Sequence, residues 1–117
     1  MAKKIMIIDD DPNIVMYLQD LLTENGYDTC VAYDGSEAID ILKKERPDLI
    51  SLDIQMPEEW GPRFYRKLSK EKEFKNIPVI VVSGLTGTKY AIPKAVASLT
   101  KPFDRDELLG IIKEAIG

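Results

Sequence analysis

The hydrophobic period of this chain changes repeatedly along its length, and no other feature constrains its fold as tightly. Short, β-branched apolar runs stand at residues 4–8, 29–33, 49–52, 78–82 and, more weakly, 97–99. Such runs suit strands, and their lack of polar alternation suits strands buried on both faces. Between them lie amphipathic stretches. In the first, Ile14, Val15, Leu18, Leu21 and Leu22 recur at helical spacing, with Asp11 placed to cap, Pro12 in the first turn and Gly26 beyond the end. Ser36 is read as the cap of the second, with Ala38, Ile39, Ile41 and Leu42 facing inward. The stretch "GPRFYRKLSK" forms the third, with Phe64, Tyr65 and Leu68 as its apolar side. Asp104 caps the last, where Leu108, Leu109, Ile111, Ile112 and Ile116 pack and an acidic first turn suits the helix dipole.

The order is therefore βαβαβαβ(α)βα. Strands alternating with helices imply a parallel sheet covered on both faces, and right-handed crossovers leave few topologies open. A length of 117 residues fits one domain, expected to span 1–117. Composition removes several function classes. A chain 44% hydrophobic and 31% charged is not disordered. It has no apolar run approaching a membrane span and no long apolar signal-peptide core, so a cytoplasmic location is expected. A net charge of −4, with no Lys/Arg cluster seen to dominate any segment, argues against direct nucleic-acid binding. One cysteine and no histidine exclude a disulfide within the monomer, a Cys/His zinc site and a His-based triad. Cys30, in the apolar "TCVAY", is expected to be a small core residue. Chemistry here must run on carboxylates, hydroxyls and lysine.

In a doubly wound sheet, binding groups collect beyond the carboxyl ends of the strands. The first apolar run ends in Asp9, Asp10 and Asp11, the third in Asp53, the fourth in Ser83, and the fifth leads into Lys101-Pro102. Two like charges ~4 Å apart repel by about 4 kcal/mol at a near-surface effective dielectric of ~20. A fold accepts that cost more readily with a cation present. These ends therefore predict carboxylates around a metal ion, with a lysine and a serine facing a phosphoryl group.

"IIDDDP", "LDIQMP", "VVSG" and "LTKPF", in that order, resemble a response-regulator receiver domain, the phospho-accepting half of bacterial two-component signalling. The resemblance spans the whole chain. It implies a flavodoxin-like sheet in strand order 2-1-3-4-5; a receiver protein is a standard example of that order, which is carried over here and not read from the residues. It implies that Asp53, in Asp-x-x-Met-Pro, is the phosphoacceptor. Asp9 and Asp10 would hold Mg2+ with Asp53, and the backbone carbonyl of Gln55 would be a further ligand. Asp11 is read as a helix cap. Lys101 would pair with the phosphoryl oxygens or with Asp53, ahead of a Lys-Pro bond that is commonly cis. Ser83 would donate to the phosphoryl group, beside a small Gly84. The implied partners are a sensor histidine kinase or phosphotransfer protein and a downstream effector, with the chain a monomer or weak dimer. No turnover of external substrate is expected.

Two features depart from the family pattern. Ser98 stands where the family carries Tyr or Phe, three residues before the lysine. The interval from Ser83 to Lys101 is about one helical turn short, and its two glycines and proline predict a short or irregular helix within residues 85–96. Two other readings stay open. One is a receiver-like interaction domain independent of phosphorylation. The other is an aspartyl-phosphate phosphatase, disfavoured because Gln55 stands where such enzymes place a second Asp.

Overall fold

The structure is a computed structural model that describes residues 2–54, 60–84 and 95–117. Strands β1 (Lys4–Ile8), β2 (Asp28–Ala32), β3 (Leu49–Leu52), β4 (Val79–Ser83) and β5 (Ala97–Thr100) alternate with helices α1 (Pro12–Glu24), α2 (Gly35–Glu45), α3 (Trp60–Lys70) and α4 (Arg105–Ile116). The strands form one sheet in the order β2-β1-β3-β4-β5, and every neighbouring pair is parallel. Of the stretch 85–96 expected to hold a short or irregular helix between β4 and β5, residues 85–94 lie outside the described residues.

Side chains alternate across each strand and sort the core into two layers. Met6, Ile8, Ile50, Leu52, Val79 and Val81 pack with Leu42 of α2 and Phe64 and Leu68 of α3. Ile5, Ile7, Leu49, Ile80 and Val82 pack on the opposite face with Val15 and Leu18 of α1 and Leu108 and Ile112 of α4. Full burial of each such side chain is worth roughly 1.5–3 kcal/mol, so losing either layer would unfold a domain of this size. No helix among the described residues is long and apolar enough to cross a membrane.

The local signals behave largely as the sequence predicts. Asp11 caps α1, accepting from the Asn13 N–H at 2.9 Å, and Asp104 caps α4, accepting from Asp106 N–H at 2.8 Å. Gly26 takes a φ of +87°, a left-handed conformation that costs glycine little as the chain leaves α1.

Three expectations are corrected. The cap of α2 is Asp34, not Ser36: Asp34 Oδ1 accepts from the Glu37 N–H at 3.0 Å and from the Ser36 hydroxyl at 2.6 Å. Glu37 reaches back to accept from the Tyr33 N–H at 2.8 Å, so reciprocal capping starts the helix two residues earlier. As a result β2 ends at Ala32, and Tyr33 lies outside the sheet, 48% exposed. Cys30 is half-buried and packs against the first core layer from its margin, because β2 is an edge strand.

Candidate functional site: an acidic cluster at the strand ends

Parallel pairing places the key carboxylates side by side. Ile8 of β1 is in register with Leu52 of β3, so the next residues, Asp9 and Asp53, leave the sheet as neighbours. The backbone ladder runs one residue past the strands: Asp9 N–H donates to Ala32 O at 3.2 Å, and Asp53 N–H donates to Ile8 O at 2.9 Å. Both carboxylates are thereby held on fixed backbone, and both are buried, 2% and 3% exposed. Asp10, next in the chain, is exposed. One oxygen from each of Asp9, Asp10 and Asp53 lies within 4.8 Å of the others.

Lys101 comes from the far side of the sheet. It follows β5, which β4 separates from β3 in the sheet, and its Nζ lies 2.8 Å from Asp9 Oδ2 and 3.7 Å from Asp53 Oδ2. The sequence points to Asp53 as its carboxylate partner; the shorter contact is with Asp9. The Lys101-Pro102 peptide is cis, as the resemblance implies. Asp9 is held at its other oxygen too, where Oδ1 accepts from the Asp11 N–H at 2.9 Å.

Three carboxylates against one ammonium leave the cluster with two formal negative charges. Each carboxylate oxygen has two lone-pair directions, so those of Asp9 still have acceptor capacity beyond their present bonds. An all-oxygen, doubly negative cluster with no sulfur or imidazole suits a hard divalent cation such as Mg2+, which takes one or two carboxylates and keeps several waters. The residues present therefore fit that ion.

Of the remaining residues singled out by sequence, Ser83 closes β4 in register with Thr100, which puts its backbone on the same edge of the sheet as Lys101. The Ser83 side chain and Gln55 lie outside the described residues, as does the Met56-Pro57 pair. Ser98 is exposed on β5, in register with Val81.

One feature went unrecognised in the sequence. Arg63, Arg66, Lys67 and Lys70 of α3 line a recess of about 280 Å³, although the sequence reading saw no Lys/Arg cluster dominating any segment. Their i, i+3, i+4, i+7 spacing is the signal that could have revealed it.

A doubly wound sheet in the order 2-1-3-4-5, with an acidic cluster and a lysine at its carboxyl edge, defines a receiver-type signalling fold. The response regulator receiver domain family matches residues 5–113, and this chain belongs to that family. Protein Rrf1 of Nitratidesulfovibrio vulgaris is 34% identical over 116 residues, covering 99% of this chain and 84% of the relative. The chemotaxis protein CheY4 of Vibrio cholerae superposes with a TM-score of 0.87 at 26% identity, covering 98% of this chain and 99% of that one. The receiver domain of the sensor histidine kinase PA1611 of Pseudomonas aeruginosa superposes with a TM-score of 0.89 at 25% identity, covering 100% of this chain and 99% of that one. That domain holds a magnesium ion coordinated in its active-site cleft.

Proposed function

We propose that this chain is a phospho-accepting response regulator that takes a phosphoryl group on Asp53 and thereby changes its binding to a partner protein. The observation that carries this reading is the buried Asp53 carboxylate, clustered with Asp9 and Asp10 within 4.8 Å and standing 3.7 Å from the Lys101 ammonium. An Asp53 oxygen attacks phosphorus, the bond between phosphorus and the donor's imidazole nitrogen breaks, and the imidazole leaves with the electron pair. With no histidine, this chain cannot also be that donor. The donor is a sensor histidine kinase or phosphotransfer protein, or a small acyl phosphate in its place.

Asp9, Asp10 and Asp53 would hold Mg2+, with the Gln55 carbonyl as the further ligand. When bound, the ion supplies positive charge that offsets repulsion between an anionic nucleophile and an anionic phosphoryl group. Lys101 presents its ammonium to the phosphoryl oxygens, and the Ser83 hydroxyl donates to them. Burial of Asp53 limits the access of water to the acyl phosphate. The chain loses its own phosphoryl group slowly and turns over no external substrate.

Incubation with acetyl phosphate and Mg2+, followed by intact mass measurement, tests this reading. One added phosphoryl group is expected, absent in Asp53→Ala and absent when EDTA is present. Sustained phosphate release from varied phosphomonoesters would instead indicate a phosphatase. The interaction-domain reading draws on one observation: Ser98 is exposed and has no ring to couple the site to the surface. Failure of every donor to leave an adduct would favour it.

A further inference from the structure

The exposed side of α3 concentrates positive charge in a protein that is otherwise strongly acidic. The whole chain has 16 basic and 20 acidic residues. Helix α3 contributes four of the basic residues and no acidic one, so the remaining chain carries twelve against twenty. Phe64 and Leu68 bury the opposite side of the helix, 1% exposed each, which fixes the direction the four cations face.

That arrangement is unfavourable for the helix itself. Arg63 with Lys67 and Arg66 with Lys70 are like-charged pairs at i, i+4, and Arg63 with Arg66 and Lys67 with Lys70 are like-charged pairs at i, i+3, all of which repel. Arg63 also sits in the first turn, where the helix dipole favours negative charge and no acidic residue is present. Arg66, Lys67 and Lys70 make no ion pair with any described residue. Among the nearby acidic groups, Glu73 is engaged by Arg46 at 3.4 Å. The four cations, all exposed, also line a common open recess of about 280 Å³.

We infer that the α3 face formed by Arg63, Arg66, Lys67 and Lys70 is a docking surface for a short acidic segment of a partner protein. From Arg63 to Lys70 the helix rises about 10 Å, at 1.5 Å per residue. That length matches roughly three residues of extended peptide. A nucleic-acid backbone or a membrane plane would extend beyond the helix and meet the acidic remainder of the chain, which repels it. Among the described residues that line the recess, a compact acidic peptide meets only cations. The surface does not use Asp53, so it stands whether or not the phosphoryl reading holds.

Fluorescence anisotropy of fluorescein-labelled hexaglutamate, titrated with the full chain at low salt and again near 0.15 M, tests the assignment. Saturable binding that weakens with salt is expected. Arg66→Glu with Lys67→Glu should weaken it at least tenfold. The milder Arg66→Gln/Lys67→Gln/Lys70→Gln variant, which only removes repulsion within the helix, should weaken it severalfold while leaving the far-ultraviolet circular dichroism unchanged. Lys113→Glu, on α4, should change it less than twofold. Absence of saturable binding, or equal loss with Lys113→Glu, would overturn the proposal. So would tighter binding to a single-stranded oligonucleotide or to phosphatidylserine vesicles, or a dimer that the α3 substitutions disperse.

Discussion

Lys101 Nζ lies 2.8 Å from Asp9 Oδ2 but 3.7 Å from Asp53 Oδ2, so the ammonium hydrogen-bonds one acidic strand end and faces the other at ion-pair distance. Asp9 is gripped from both sides, by Lys101 at Oδ2 and by the Asp11 N–H at Oδ1. The same lysine therefore neutralises a buried carboxylate and stands within reach of the proposed acceptor.

Lys101→Ala should destabilise the protein, because it leaves buried Asp9 and Asp53 facing each other without their shared cation. Removing one partner of a buried pair costs up to about 3–5 kcal/mol; Lys101 is partly exposed, which brings the expectation to roughly 2–3 kcal/mol. Urea denaturation in EDTA measures this. Adding Mg2+ should recover much of the loss, since a divalent cation supplies the missing positive charge. A variant as stable as the parent in EDTA would contradict the account of the cluster.

Mg2+ should stabilise the parent protein by mass action. A free concentration of about 100 times the dissociation constant adds about 2.7 kcal/mol, or roughly 10 °C in Tm for a domain of this size. Asp10→Asn should abolish most of that shift. In EDTA the same variant should be as stable as the parent or slightly more so, because an exposed carboxylate has been removed from beside two others. Thermal melts with and without the ion give both numbers.

The Asp34 carboxyl is held below its ordinary value of 3.8, first by the Ser36 hydroxyl and then by the Glu37 N–H. A folded pKa below the unfolded one means that this stabilisation is complete above about pH 3.8 and is lost as pH falls through the folded value. Asp34→Asn keeps a capping oxygen but does not titrate. The stability difference between parent and variant, from urea melts at pH 5 and near pH 2.5, should therefore shrink or reverse at the lower pH.

Burial pushes the Cys30 thiol from 9.0 up to about 11, with Glu45 adding to the rise and Lys4 opposing it. Near neutral pH its thiolate fraction is on the order of 100-fold below that of an unperturbed thiol, and the thiolate is the nucleophile. Iodoacetamide should label native Cys30 far more slowly than the urea-unfolded chain, with a rate still climbing above pH 10. Reaction at the rate of a free thiol at pH 8 would refute this.

Much of this protein can be read from its sequence, because its strands and helices are marked locally. Apolar runs of three to five residues and helical spacing located all five strands and all four described helices. Asp11 and Asp104 announced their caps by residue type alone. The start of α2 was misread because Asp34 and Ser36 are both good caps, and only the reciprocal bond from Tyr33 to Glu37 decides between them. The basic side of α3 escaped notice because its four cations are spread among Phe64, Tyr65, Leu68 and Ser69. They gather only when the helix turns.

The chain by itself determined which residues stand at the ends of the strands, since hydrophobic period and strand length are properties of short segments. Tertiary structure alone decided which of those ends meet. Register between β1 and β3 set Asp9 beside Asp53, and the folded geometry placed the Lys101 ammonium nearer to Asp9 than to Asp53. A separation of 92 residues is spanned there by a 2.8 Å bond. Its geometry depends on how whole layers pack against the sheet, which no local pattern encodes.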